Sequence, residues 1–199
     1  MPDRRARDKA QTVSDVLTAA KSVFGARGLH GTSIRDIEEA SGVSKGLILH
    51  HFGTKEKLYA AVQDQLSQDY VAALAAQRQS SADFRELVAT TIRGSLAHWK
   101  GNRNYRRISL WSYLEGQERN SELEERFTTA LVEAMRAGQQ SGQVREDIDP
   151  LLMPFIIRGA IEYWVRKEEL VRELARSGGD PQAGSDDRLV EALTKLFLK

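Results

Sequence analysis

The sequence predicts an all-α protein, with a three-helix head containing a helix-turn-helix over residues 1–54 and a helical body over residues 55–199. Three observations carry this reading. Apolar residues recur at three- and four-residue spacings along most of the chain, the period of one helix face. Glycines and polar clusters interrupt those stripes at Gly28, Gly42, Gly53, 100–104 and 177–185. Between Thr32 and Lys57 two short helical segments are separated only by a tight glycine turn.

Taken in order, Arg4, Arg5, Arg7 and Lys9 form a basic arm ahead of any apolar periodicity. It is either a solvated terminus or a contact for a polyanion. Val13, Val16, Leu17, Ala20, Val23 and Phe24 then make a helical stripe that Gly28 ends. Thr32 or Ser33 offers a side-chain oxygen to cap the next helix, where Ile34 and Ile37 share one face. Gly42 supplies a left-handed turn, Val43 plugs it, and Ser44 caps a second short helix. That helix carries Leu47, Ile48 and Phe52 at helical spacing, with Lys45, Gly46, His50 and His51 on other faces. Leu47 reads as core, or as an apolar contact if exposed.

Gly53-Thr54-Lys55 is a further turn, and Thr54 caps a long helix reaching about residue 78. Residues 77–82 are a polar break, and 82–99 form a helix with Phe84, Leu87, Val88, Ile92, Leu96 and Trp99 on one broad face. In 105–116 the apolar residues spread round most of the helix, which predicts burial on several sides. Residues 120–141 make an amphipathic helix. Asp149 caps a helix with Pro150 at its first position, predicted to run unbroken over 151–175. Its start is apolar on every side, so one side packs within the subunit and the other on a partner subunit. A last helix puts Leu189, Leu193, Leu196 and Phe197 on one stripe.

Composition bounds the chemistry. With 199 residues there is length for a well-buried core, and 41% hydrophobic with 29% charged residues is ordinary for a globular protein. The absence of cysteine excludes disulfides, thiolate metal sites and cysteine nucleophiles. No apolar run is long enough to span a bilayer and no secretory signal begins the chain, so a cytoplasmic protein with no membrane partner is expected. Residues 1–57 hold ten Lys plus Arg against seven Asp plus Glu, a modest positive end that suits a polyanion without identifying one.

The stretch from Phe24 to Leu58, through Gly28, Thr32, Ile37, Gly42-Val43-Ser44, Gly46, His50, Phe52 and Lys55, resembles the DNA-binding motif of the TetR family of bacterial transcriptional regulators. It covers roughly the first third of the chain; beyond it only length and helical character are similar. The resemblance implies a sequence-specific, ligand-released repressor that binds a palindromic double-stranded DNA operator. It implies DNA contact from Thr32, Ser33, Lys45, Gly46, Leu47, Leu49, His50, His51 and Lys55. It further implies a homodimer through the last two long helical elements, a small-molecule effector in the body, and no cofactor. Three positions depart from the family's pattern: Leu49 stands where an aromatic is common, and Glu38 and Ser41 stand where alanine is common. Glu38 must reach solvent or pair, with Arg35 or Lys45 for example.

The effector candidates are aromatic or are charges set in apolar runs: Trp99, Tyr105, Trp111, Glu115, Phe155, Arg158, Glu162 and Tyr163. Plain core or dimer interface is the competing role for each aromatic, and Arg158 and Glu162 are spaced to pair along one helix. An unpaired Glu at a cavity would favour a cationic ligand, an Arg there an acidic or acyl one. Two other classes compete with the regulator. A helical adaptor binding only protein would not need the Lys45-Gly46 face. An enzyme lacks support: there is no His-Glu-x-x-His, phosphate-binding glycine loop or Gly-x-Ser-x-Gly, and no metal is implied.

Overall fold

In the computed structural model, which describes residues 4–77, 84–119, 121–180 and 182–199, helices follow one another from Arg4 to Phe197. They are α1 (Arg4–Arg27), α2 (Ile34–Ser41), α3 (Lys45–Phe52), α4 (Lys55–Gln77), α5 (Phe84–Gly101), α6 (Arg103–Leu114), α7 (Glu122–Gln140), α8 (Leu152–Arg166), α9 (Glu168–Ser177) and α10 (Asp186–Phe197). The chain packs as two compact units, Met1–Gln68 with Asn102–Ser121, and Asp69–Gly101 with Glu122–Lys199.

The first unit is assembled on the stripe of α1. Val16, Ala20 and Phe24 are fully buried, and Phe24 meets the edge of Tyr59 at 4.9 Å between ring centroids. Ile37 of α2, Ile48 of α3 and Leu58 of α4 complete that core. α6 packs along α1. Its Ser112 hydroxyl is shared with Tyr59 at 3.0 Å and accepts from Gln63 Nε2 at 2.9 Å. The basic stretch before residue 10 is not an arm: its backbone forms the first turns of α1. Nothing after Pro2 breaks the helix, so propensity continues through the arginines. The expectation that α6 is buried on several sides is also corrected. Tyr105, Ile108 and Ser112 are buried, but Leu110, Tyr113 and Leu114 are exposed.

The second unit is built around α5, whose Val88, Ile92, Leu96 and Trp99 are buried, with α8 and α10 packed on it. α10 contributes Val190, Leu193 and Phe197, while Leu196 lies on the outer side. At one end Lys100 Nζ donates to Glu168 at 2.8 Å and to Asp186 at 2.7 Å, and Trp164 Nε1 donates to the other Asp186 oxygen at 3.1 Å. That cluster accompanies a correction: residues 151–175 are not one helix. At Lys167 the backbone leaves helical geometry (φ −107°, ψ 14°), ending α8 and opening α9. Glu168, drawn to Lys100, sits just past the break. Asp149 takes the N–H of Leu151 at 2.9 Å, one turn ahead of α8. The polar break at 78–82, the start of α5 before Phe84 and the start of α7 at Asn120 lie outside the described residues.

The end of α1 is held from outside. Gly28 adopts φ 72°, and the N–H groups of Leu29 and His30 beyond it both donate to Glu115 of the segment after α6, at 2.9 and 3.1 Å. Arg107 donates to the carbonyls of Gly25 and Ala26. A Cβ on Gly28 would stand 2.5 Å from Glu115 Oε1 and 2.9 Å from the Trp111 ring. Gly28→Ala therefore combines left-handed strain with steric conflict. It is expected to lower unfolding free energy by about 1–3 kcal/mol in urea titration. A loss below a few tenths of a kcal/mol would contradict this packing.

Candidate nucleic-acid interface and body cavity

Local chemistry positions the two short helices of the first unit. Ser33 is the N-cap of α2 and forms a reciprocal box with Asp36. The Asp36 carboxylate accepts from Ser33 N at 2.7 Å and from Arg27 at 2.9 Å. The Ser33 hydroxyl and backbone N–H, with help from Arg27, hold the Asp36 carboxyl below its ordinary range. Gly42 closes α2 at φ 70°, its N–H returned to the Glu38 carbonyl. Glycine takes that left-handed turn without the strain a Cβ would bring. Ser44 then caps α3.

On α3 Ile48 is fully buried, and 100° per residue places Gly46 and His50 on the opposite face, with Leu47 100° round to one side. All three are exposed, as is Lys45 at the first position. Leu47 is 41% exposed, which corrects its assignment to the core. Nothing lies within 4 Å of where a Cβ on Gly46 would be, so backbone there can approach a neighbour closely. Leu49 and His51 are half-buried at the margins, with the His50 and His51 rings edge-on at 5.5 Å. Glu38 neither reaches out alone nor pairs with Arg35, which bonds Glu39 instead. Its Oε1 accepts the backbone N–H of Lys45 at 2.8 Å, so a carboxylate already occupies the positive end of α3.

Two residues expected at this face are turned inward. Thr32 is 3% exposed, and its hydroxyl donates to the Gly28 carbonyl at 2.7 Å. The Lys55 ammonium donates to the carbonyls of Leu29 and Thr32, each at 2.8 Å. Lys55 thus clamps the turn between α1 and α2. Sequence reasoning missed this role, and also those of Arg107 and Glu115, whose setting in apolar runs was the available signal.

The second unit contains a cavity of about 60 Å³ between the end of α4 and helices α5, α7 and α8. Its walls are mainly apolar, with Leu74, Ile92, Leu131, Met135 and Met153 among them. Tyr70 and Ser95 share a hydrogen bond at the wall, and burial pushes the Tyr70 hydroxyl up, keeping it protonated. Arg158 is the charged member of the described lining. Its guanidinium pairs with Glu124 at 2.6 Å, not with Glu162, and lies 5.9 Å from the Trp99 ring centroid.

The other effector candidates lie elsewhere: Trp99 is buried on α5 and is not among the described lining residues. Tyr105, Trp111 and Glu115 belong to the first unit, where Tyr105 is buried and Glu115 holds the α1–α2 turn. Phe155 and Tyr163 are 60% and 57% exposed on α8 and do not line the cavity, nor does Glu162. No described helix is long and apolar enough to cross a membrane, and no described group of His, Asp and Glu side chains is arranged to hold a metal.

A buried-core helix-turn-helix that leaves one face of its second helix bare is the architecture with which DNA-binding proteins enter a major groove. Comparison with known proteins agrees. Residues 16–62 match the model of bacterial regulatory proteins of the tetR family. The chain is 30% identical over 143 residues to the HTH-type transcriptional repressor KstR2 of Rhodococcus jostii, covering 68% of this chain and 69% of that protein. It is 38% identical over 86 residues to the HTH-type transcriptional regulator RutR of Escherichia coli, 43% of this chain and 39% of RutR. The crystal structure of a TetR family transcription regulator from Marinobacter aquaeolei superimposes with a TM-score of 0.74 at 19% identity, over 99% of this chain and all of that one. The chain belongs to the TetR family of bacterial transcriptional regulators.

The Lys55 clamp is testable by itself. Lys55→Met leaves the Leu29 and Thr32 carbonyls without their donor and is expected to destabilise the protein by about 1–3 kcal/mol. Chemical denaturation measures it, and an unchanged midpoint would mean the ammonium is free for another partner.

Proposed function

We propose that the chain is a ligand-released repressor that binds a palindromic operator as a homodimer, with DNA binding assigned to residues 1–54 and effector binding and dimerisation to 55–199. The observation that carries the DNA half is the bare face of α3. Gly46, Leu47 and His50 are exposed together while Ile48 anchors the helix from behind. In this reading Lys45 and His50 donate to base edges or phosphates, Leu47 meets a thymine methyl, and Ser33, Leu49 and His51 border the groove. Thr32 and Lys55 act by holding the turn. Repression is supported by the name of the relative KstR2.

Dimerisation is assigned to the outer face of α8 with α10. Leu152, Phe155, Ile156 and Tyr163 are exposed on α8, and Leu196 on α10. A single chain leaves these apolar groups in water, and a second copy would cover them. The body cavity is the effector site, with Arg158 as its polar anchor and Trp99 beside it. The ligand would act by binding one of two states of the dimer more tightly, changing the spacing of the two recognition helices.

Selection from a random duplex pool, followed by anisotropy titration of the winner, tests this reading. The expected product is an inverted repeat with half-sites about 34–36 Å apart or slightly more. Lys45→Ala should weaken binding and relax discrimination at one base pair by about 1–3 kcal/mol. Phe155→Asp should yield a monomer that no longer holds the operator. No enriched sequence would overturn the operator assignment, and full operator affinity in a proven monomer would overturn the dimer.

A further inference from the structure

The chemical class of ligand follows from how the cavity treats the cation among its described lining residues; this inference rests on the reading of the cavity as the effector site. The hydroxyls at the described wall are engaged internally: Tyr70 with Ser95, and Thr91 with the Leu87 carbonyl at 2.8 Å. Neither pair calls for a polar ligand group. Arg158 is different. Its guanidinium lies 6.0 and 5.9 Å from the Tyr70 and Trp99 ring centroids, aromatic neighbours that reduce its contact with water. Its carboxylate partner, Glu124, comes from the first turn of α7 and is not part of the cavity lining. The cavity therefore presents a cation from inside while the carboxylate paired with it stands outside the described lining.

We propose that the ligand is an amphipathic carboxylic acid, its apolar body among Leu74, Ile92, Leu131, Met135 and Met153, and its carboxylate replacing that of Glu124 on Arg158. A guanidinium fork suits carboxylate geometry, and exchanging one carboxylate for another keeps the partly buried cation paired throughout. An alcohol of the same shape gains apolar burial only, and an amine is repelled by Arg158. Exchange also breaks the Glu124–Arg158 bond, which ties the start of α7 to α8 at 2.6 Å. The acid thus binds better to the state in which that tie is open, which is the differential affinity that an effector needs. Glu124 acts as a built-in competitor that sets the threshold for ligand.

The test is calorimetric titration of the full chain with octanoate, decanoate and dodecanoate, beside decanol and decylamine. Decanoate is expected to bind about tenfold or more tightly than decanol, with decylamine weaker still. Glu124→Gln removes the competing charge and should raise decanoate affinity about fivefold or more while leaving decanol unchanged. Arg158→Leu should bring acid and alcohol level, and Arg158→Lys should restore part of the preference. Thermal melts establish that each variant is folded. A structural ion pair alone predicts no acid-specific gain in Glu124→Gln. Equal binding of decanol and decanoate, no gain in Glu124→Gln, or no binding of any alkanoate would overturn the proposal. Operator binding, measured separately on the same protein, keeps the outcomes apart. Intact operator binding without alkanoate binding sinks only the acid. Alkanoate binding without an operator sinks the repressor reading and leaves the acid site standing.

Discussion

The helix-turn-helix unit depends on how the backbone between Gly25 and Thr32 is satisfied. A helix that ends inside a fold leaves carbonyls and following N–H groups without partners, and each is costly if buried unpaired. Here three charged side chains from distant parts of the chain complete it. Glu115 accepts from Leu29 and His30, Arg107 donates to Gly25 and Ala26, and Lys55 donates to Leu29 and Thr32. Thr32 adds a bond back to Gly28. Glycine at position 28 is required for the left-handed turn and for the close approach of Glu115 and Trp111. The direction in which the chain enters α2, and so the placement of α3, is set by this network.

From that fixed turn, the bare face of α3 needs few further constraints. Ser33 and Asp36 start α2, Gly42 turns the chain, and Ser44 and Glu38 share the first N–H groups of α3. Glu38 has a functional consequence. With its carboxylate on Lys45 N–H, the positive end of α3 is already neutralised, so attraction of an anion there falls to side chains rather than to the helix terminus.

What the sequence made legible was local. Gly28, Gly42, Ser33, Ser44 and the α1 stripe announce themselves within a few positions, because capping, left-handed turns and helix periodicity are short-range. What it hid was long-range. Lys55 read as a DNA contact because its acceptors are backbone carbonyls 23 and 26 positions away. Glu115 read as a cavity residue because its partners lie 86 and 85 positions upstream. The break at Lys167 lies in a segment of unbroken helical propensity beside Glu168, whose partner is Lys100. Among the aromatic candidates composition could not separate core from outer face. Arg158, a charge in an apolar run, is the candidate found lining the cavity, and its Glu124 partner left no local trace.

The most direct test of this account is amide hydrogen exchange at Leu29 and His30 in the natural protein and in Glu115→Ala. The account predicts that both amides are well protected, that the variant exposes them while the core amides of α1 stay protected, and that affinity for DNA falls although no residue of α3 has changed. Equal protection of Leu29 and His30 in the two proteins, with unchanged DNA affinity, would contradict the claim that this charged network positions the recognition helix.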